Sequence, residues 1–309
     1  MRRTTLKKVE NMTINESVER FFRAKKAANL KEDSLETYAY HIDAFIENLD
    51  CDTDTTDIKD LTIEDYENFV IDMQEDGKKD TNIASYCRSI RAFLYWNGFK
   101  HKVQIPKVQE TVKITYTDEE LEILLEKPTN DKVVDYEAWC FENICIATGL
   151  RLSSVLHIKV DDVIIPECSL NVTHTKTGLP LMFPIHKELL YLLKEYIFTL
   201  QLENDHYLFS KANGEMLKRR TIQGYIRDYN QARNVQKTST HLFRHTFAKR
   251  YYLKTKDVYG LMKLLDHADL TETQKYLRSL GITDIDISQY NPQVEFKKQA
   301  KAKERRRKM

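Results

Sequence analysis

Helix-start signals recur along this chain. Thr13-Ile14-Asn15-Glu16, Thr62-Ile63-Glu64-Asp65 and Thr117-Asp118-Glu119-Glu120 each place a hydroxyl three residues ahead of an acid, a reciprocal cap for backbone N–H groups that a helix cannot satisfy itself. Apolar residues follow at three- and four-residue spacing. Val18, Phe21 and Phe22 come first, and Tyr38, Ile42, Phe45 and Ile46 follow a start at Asp33. Tyr66, Phe69, Val70 and Met73 run up to Gly77, and Ile83, Tyr86, Ile90, Phe93 and Leu94 lie behind Asp80 as a cap. That period buries one stripe of a helix and does not suit a sheet. It breaks once, over residues 160–185, where short β-rich runs split by Pro166-Glu167 and Lys176-Thr177-Gly178 predict a small antiparallel sheet with a hairpin at Thr175–Gly178. Further helices are expected over 136–148, halted by Gly149, and then over about 186–201, 217–233, 240–253, 257–266 and 270–280. The expected fold is mainly α with a small antiparallel β-sheet, an α+β arrangement.

A chain of 309 residues suits two domains. The reading divides it into a helical domain over 13–99, a basic linker over 100–113 containing Pro106, a second domain over 114–290 and a basic tail over 291–309. Only eight Gly and six Pro argue against a loop-rich β-sandwich. No apolar run reaches the 18–20 residues of a membrane span, and the first residues lack the apolar stretch of a signal peptide, so a soluble, cytoplasmic protein is expected. The five cysteines form no C-x-x-C pair, which favours reduced, buried thiols over disulfides or a zinc site.

The net charge of +1 hides its distribution. Residues 297–309 carry +7, and 211–250 hold ten Lys/Arg against Glu215 and Asp228. Such stripes suit either a solvated helix face or a nucleic-acid backbone. Lys218, Arg219, Arg220 and Arg227, with Lys100, Lys102, Lys107 and Lys113 of the linker, are the candidates for phosphate contacts.

Several residues bear chemistry at abrupt points of the pattern. Arg151 follows Thr148-Gly149-Leu150, Lys176 tips the hairpin, His241 and Arg244 lie one turn apart, and Tyr276 comes nine residues after His267. Singly, each has an ordinary reading: a capping Arg, a solvated Lys, a core His, a packing Tyr. His241 and His245 at i,i+4 have the spacing of a zinc pair, but Leu242 stands where a metalloprotease has Glu, so no metal is expected.

In order, they resemble the tyrosine recombinase (phage-integrase type) family. Thr148-Gly149-Leu150-Arg151-Leu152-Ser153 is similar to its first box, His241-Leu242-Phe243-Arg244-His245-Thr246-Phe247-Ala248 to its second, and Leu264-Leu265-Asp266-His267 through Thr271, Thr273 and Tyr276 to its third. The resemblance implies a core-binding domain followed by a catalytic domain closing around double-stranded DNA at specific core sites. It also implies a 3′-phosphotyrosyl intermediate, a Holliday junction, a homotetramer on synapsis, and no metal or other cofactor. Accessory DNA-bending proteins and a bacterial or phage-encoded, nucleoid-associated setting go with it. Two positions depart from the pattern. Ser154 stands where many relatives have an acid, and Asp266 where Gly is usual.

The residue types suit the reaction. Arg151 and Arg244 can clamp the nonbridging oxygens of a phosphodiester as negative charge grows on them. Tyr276 is the nucleophile and needs a base, for which His241 is the candidate. His267 would hydrogen-bond the phosphate, and Lys176 would protonate the departing 5′-oxygen. A mobile-element integrase is the favoured role. A chromosome-dimer-resolving recombinase, a type IB topoisomerase-like enzyme and an inactive DNA-binding relative are the alternatives. After the tyrosine, Ile282, Ile285 and Ile287 are expected to dock on a neighbouring protomer or to pack on their own domain.

Overall fold

Thr13 and Glu16 cap the first helix as the spacing predicts: the Glu16 amide donates to Thr13 Oγ1 at 3.2 Å, and the Thr13 amide donates to Glu16 Oε2 at 3.0 Å. The computed structural model of the chain describes residues 12–109 and 111–282, divided into two compact units between Glu110 and Thr111. Ile285, Ile287, Tyr290 and the basic run over 291–309 lie outside the described residues.

The first unit holds α1 (Ile14–Ala27), α2 (Glu32–Glu47), α3 (Ile63–Glu75) and α4 (Asp80–Trp96). Its core gathers one stripe from each: Ile14 and Phe21, Ile42 and Phe45, Tyr66, Phe69 and Met73, and Ile83, Ile90 and Phe93. Phe21 meets Phe93 edge to face at 5.4 Å, a geometry set by the ring quadrupoles. Asp33 and Asp80, read from sequence as caps, sit inside the first turn. The N-cap positions belong to Lys31 and Lys79, neither of which caps through its side chain, so the two carboxylates act on the positive end of the helix instead. Residues 99–105 pack on this unit. Val103 is buried, its amide donates to the Tyr95 hydroxyl at 3.1 Å, and Tyr66 donates to the Gln104 carbonyl at 2.5 Å.

The second unit is built around α6 (Val133–Thr148), whose residues from Tyr136 onward are buried on almost every side. Such a helix must be covered all round. The helices α5 (Asp118–Leu125), α8 (Lys187–Thr199), α9 (Arg219–Ala232) and α10 (Thr240–Thr255) pack against it. The sheet runs β1 (Val163–Ile164), β2 (Ser169–Val172), β3 (Leu181–Pro184), antiparallel throughout, with Leu170 opposite Phe183 and Val172 opposite Leu181. Leu170, Val172 and Phe183 face the core. The β2–β3 connection spans 173–180, longer than the tight turn read from sequence, and Thr175 Oγ1 staples it by donating to the Leu179 carbonyl at 2.8 Å. The unit also holds α7 (Leu152–Leu156), α11 (Val258–Leu264) and α12 (Leu270–Ser279). Ile282 packs beside Leu277 and Leu280 of its own chain. Among the described residues no helix is long and apolar enough to cross a membrane.

Candidate active site

Gly149 sets the first corner of the site. It ends α6 in the left-handed region at φ 67°, where a side chain is strained. A Cβ there would lie 2.2 Å from the Phe247 ring of α10. Only glycine lets the two helices approach this closely. The turn hands the chain to Arg151, at the N-cap of α7, and the Gly149 carbonyl accepts from Arg244 Nη1 at 2.9 Å. The same turn therefore anchors the Arg244 guanidinium and leads the chain into Arg151.

Arg244 is 6% exposed. Its Nη2 donates to the Leu265 carbonyl at 2.6 Å and faces His267 Nε2 at 3.3 Å. Burial first, and the charge of Arg151 second, pull its pKa down to about 10, which still leaves it charged at neutral pH. His267 completes the chain through Nδ1, 3.0 Å from Thr273 Oγ1. Burial and then Arg244 depress its pKa to about 4. A neutral ring that accepts at Nε2 carries its proton on Nδ1, so in this state Nε2 faces Arg244 as an acceptor.

Tyr276 lies on α12, edge-on to His267 at 5.4 Å between ring centres. Its hydroxyl is 2.6 Å from His245 Nδ1, and the Lys113 ammonium sits 4.8 Å above its ring. Burial raises the phenol to about 12 while Arg244 and Arg151 pull it down. His245 is depressed to about 4 by burial, with Lys113 the next cause, so it is neutral and able to accept. Sequence reading passed over His245 once a zinc pair was rejected. The available signal was its place one residue beyond Arg244, on the helix that faces α12. His241 stands at the exposed rim of α10. Its pKa is lowered by burial and then by Arg244, Arg219, Lys113 and Arg151, which marks the rim as strongly electropositive.

Lys176 is exposed on the β2–β3 loop, and its ammonium pairs with Glu272 at 2.7 Å. That contact, first, lowers the Glu272 pKa. Asp266 binds the same loop: its Oδ2 accepts from the Lys176 amide at 2.6 Å and its Oδ1 from Thr177 Oγ1 at 2.7 Å. Oδ2 also meets Arg151 Nη1 at 3.2 Å. Ser154 is buried on α7.

The structure thus gathers Arg151, Lys176, Arg244, His267 and Tyr276 into linked contacts, with His241 among their charges. Of the phosphate-contact candidates, Lys113, Lys218, Arg219, Arg220 and Arg227 are exposed on the second unit, and Lys100, Lys102 and Lys107 on the first. Arg227 Nε pairs with Asp228 at 3.0 Å.

The chain and its fold are similar to those of known proteins. Tyrosine recombinase XerA of Pyrococcus furiosus is 25% identical over 270 residues, covering 85% of this chain and 90% of the relative. Tyrosine recombinase XerD of Listeria innocua is 22% identical, covering 86% and 94%. Among solved structures, the Tn1549 transposon integrase in complex with transposon right end DNA has a TM-score of 0.71 at 18% identity, covering 94% of this chain and 100% of that one. A lambda integrase tetramer bound to a Holliday junction has 0.68 at 16%, covering 90% and 82%. Residues 115–281, more than half of the chain, match the phage integrase family, and the protein belongs to that family of tyrosine recombinases.

Proposed function

We propose that this protein is a site-specific DNA recombinase that cuts and rejoins duplex DNA through a 3′-phosphotyrosyl intermediate. The observation that carries the reading is the joining of Arg151, Arg244, His267 and Tyr276 with the Lys176 loop across three sequence boxes. The Tyr276 oxygen attacks phosphorus, its proton passing to a neighbouring imidazole, His241 or His245. The bond from phosphorus to the 5′-oxygen breaks, and Lys176 supplies that oxygen's proton. The two guanidinium groups hold the charge that builds on the nonbridging oxygens. Religation reverses these steps with a new 5′-hydroxyl, so strand exchange needs no nucleotide energy source. Lys113 and Arg219, beside His241, and the exposed N-terminal turn of α9 face the DNA backbone.

A tetramer on two core sites and a Holliday junction extend this reading, in keeping with the solved assembly of the lambda integrase. Integration of a mobile element is the role we favour, and the fold it shares with the Tn1549 integrase supports it. The Xer relatives support a second role, resolution of chromosome dimers.

A nicked suicide duplex tests the chemistry. The protein should form a covalent adduct that survives denaturation, and Tyr276→Phe should bind the duplex and form none. An adduct with Tyr276→Phe would reassign the nucleophile. Sequencing the captured genomic sites separates the roles, since element ends indicate integration and one site near the replication terminus indicates dimer resolution.

A further inference from the structure

Asp266 occupies a backbone position that a side chain enters only at some cost, with φ at 49°. Asp tolerates this region better than most residues, through local hydrogen bonds. Here its carboxylate instead makes contacts far away in sequence. Oδ2 accepts from Arg151 Nη1 at 3.2 Å, from the Lys176 amide at 2.6 Å and from the Thr177 amide at 3.4 Å, and Oδ1 accepts from Thr177 Oγ1 at 2.7 Å. Its backbone carbonyl receives Arg151 Nη2 at 3.4 Å. One residue thus fixes the guanidinium of Arg151 and the tip of the β2–β3 loop together. Ser154, three residues beyond Arg151 and buried, carries no charge to hold that guanidinium.

We propose that Asp266 is a positioning residue that orients Arg151 and pins the Lys176 loop over the scissile phosphate, so that the general acid is delivered by a loop already in place. This inference rests on the recombinase reading above. The two anchors of the loop differ in kind. The Asp266 contacts hold backbone, and the Asp266 side chain is 16% exposed. The Lys176–Glu272 pair holds only the ammonium, on a side chain that is 54% exposed, where ion pairs are weak and readily exchanged. Lys176 can therefore leave Glu272 for the departing 5′-oxygen while Asp266 keeps the loop seated. Asp266 touches neither substrate nor reacting atoms in this scheme, and its effect passes through Arg151 and Lys176.

The test compares Asp266→Gly and Asp266→Asn, both compatible with the left-handed backbone, in single-turnover cleavage of a nicked suicide duplex. A second duplex replaces the bridging 5′-oxygen with sulfur, whose thiolate leaves without a proton. Cleavage of the ordinary duplex should fall by about 10²-fold, within the range of general-acid catalysis. The sulfur duplex should recover the share of that loss that passes through Lys176, as it should for Lys176→Ala, and leave the share that passes through Arg151. Combining Asp266→Gly with Lys176→Ala should therefore cost more than Lys176→Ala alone but less than the product of the two single losses. In the free protein, the amides of Lys176 and Thr177 should exchange hydrogen faster in Asp266→Gly than in the unaltered chain. Unchanged or faster cleavage overturns the proposal, and so does an equal loss on both duplexes or unaltered amide exchange. If the unaltered chain forms no adduct at all, the recombinase reading fails, and the exchange experiment still reports whether Asp266 holds the loop.

Discussion

The hydroxyl of Tyr276 and Nδ1 of His245 lie 2.6 Å apart, which places a neutral acceptor directly against the proposed nucleophile. With His245 depressed to about 4 and the phenol raised to about 12, the tyrosine donates and the imidazole accepts across the neutral range. His245→Ala should slow adduct formation by about 10–10²-fold with DNA affinity intact, since loss of orientation alone carries penalties of this size. Proton NMR of the DNA-free protein should show the His245 ring titrating near 4. A midpoint near 6.5 would remove this account.

The two arginines should part company in stability. Arg244→Ala leaves the Gly149 and Leu265 carbonyls without a donor in a buried setting, a loss of about 2–4 kcal/mol. Arg151→Ala removes a partly exposed pair with Asp266 and should cost about 1 kcal/mol. Both should abolish cleavage, so urea denaturation rather than activity separates them.

Gly149→Ala forces a Cβ into the Phe247 ring at positive φ and should destabilise the second unit by about 2 kcal/mol or more. Adding Phe247→Leu should return the packing part of that loss and leave the backbone part. Full recovery in the double variant would show that φ strain at 149 is negligible.

Glu137 is 7% exposed on α6, and burial raises its carboxyl to about 7. A carboxyl raised in the folded state contributes stability fully below its unfolded value of 4.5, and that contribution fades as pH climbs through 7. The shift corresponds to about 3 kcal/mol. Glu137→Gln should therefore gain on the unaltered chain between pH 5 and pH 8, as read from urea midpoints. Parallel curves at both pH values would contradict it.

Salt dependence should identify the backbone contacts. Removing Arg219 should reduce the slope of log K against log salt by about 0.9, the release expected for one phosphate contact on duplex DNA. Arg227, already paired with Asp228, should change it less. Equal slopes for the unaltered chain and Arg219→Ala would place Arg219 off the DNA.

Sequence showed the helices best where a chemical cap marks the start, as at Thr13, Thr62 and Thr117, because capping is local and its spacing fixed. It missed the five-residue α7, which begins at an arginine N-cap and is too short to show a period. The loop over 173–180 reads as a tight turn because Gly178 is visible, whereas the Thr175 staple that fixes its length is not. Family boxes brought Arg151, Arg244, His267 and Tyr276 into view in order, and the hairpin between the first two boxes brought Lys176. The bonds of Asp266 to Arg151 and Lys176 cross 115 and 90 positions, and no spacing rule reaches that far.

A guanidinium carries five N–H groups, and the contacts of Arg244 with Gly149, Leu265 and His267 engage three of them. Arg244 also hydrogen-bonds the Tyr276 side chain, so an incoming phosphate meets only what remains and what it can win from Tyr276 or His267. A lysine placed there would exhaust its whole complement of three donors on the same scaffold and have nothing left to offer. Arginine at this position is selected by arithmetic as much as by charge: part of the side chain is mortar, and only the remainder is tool.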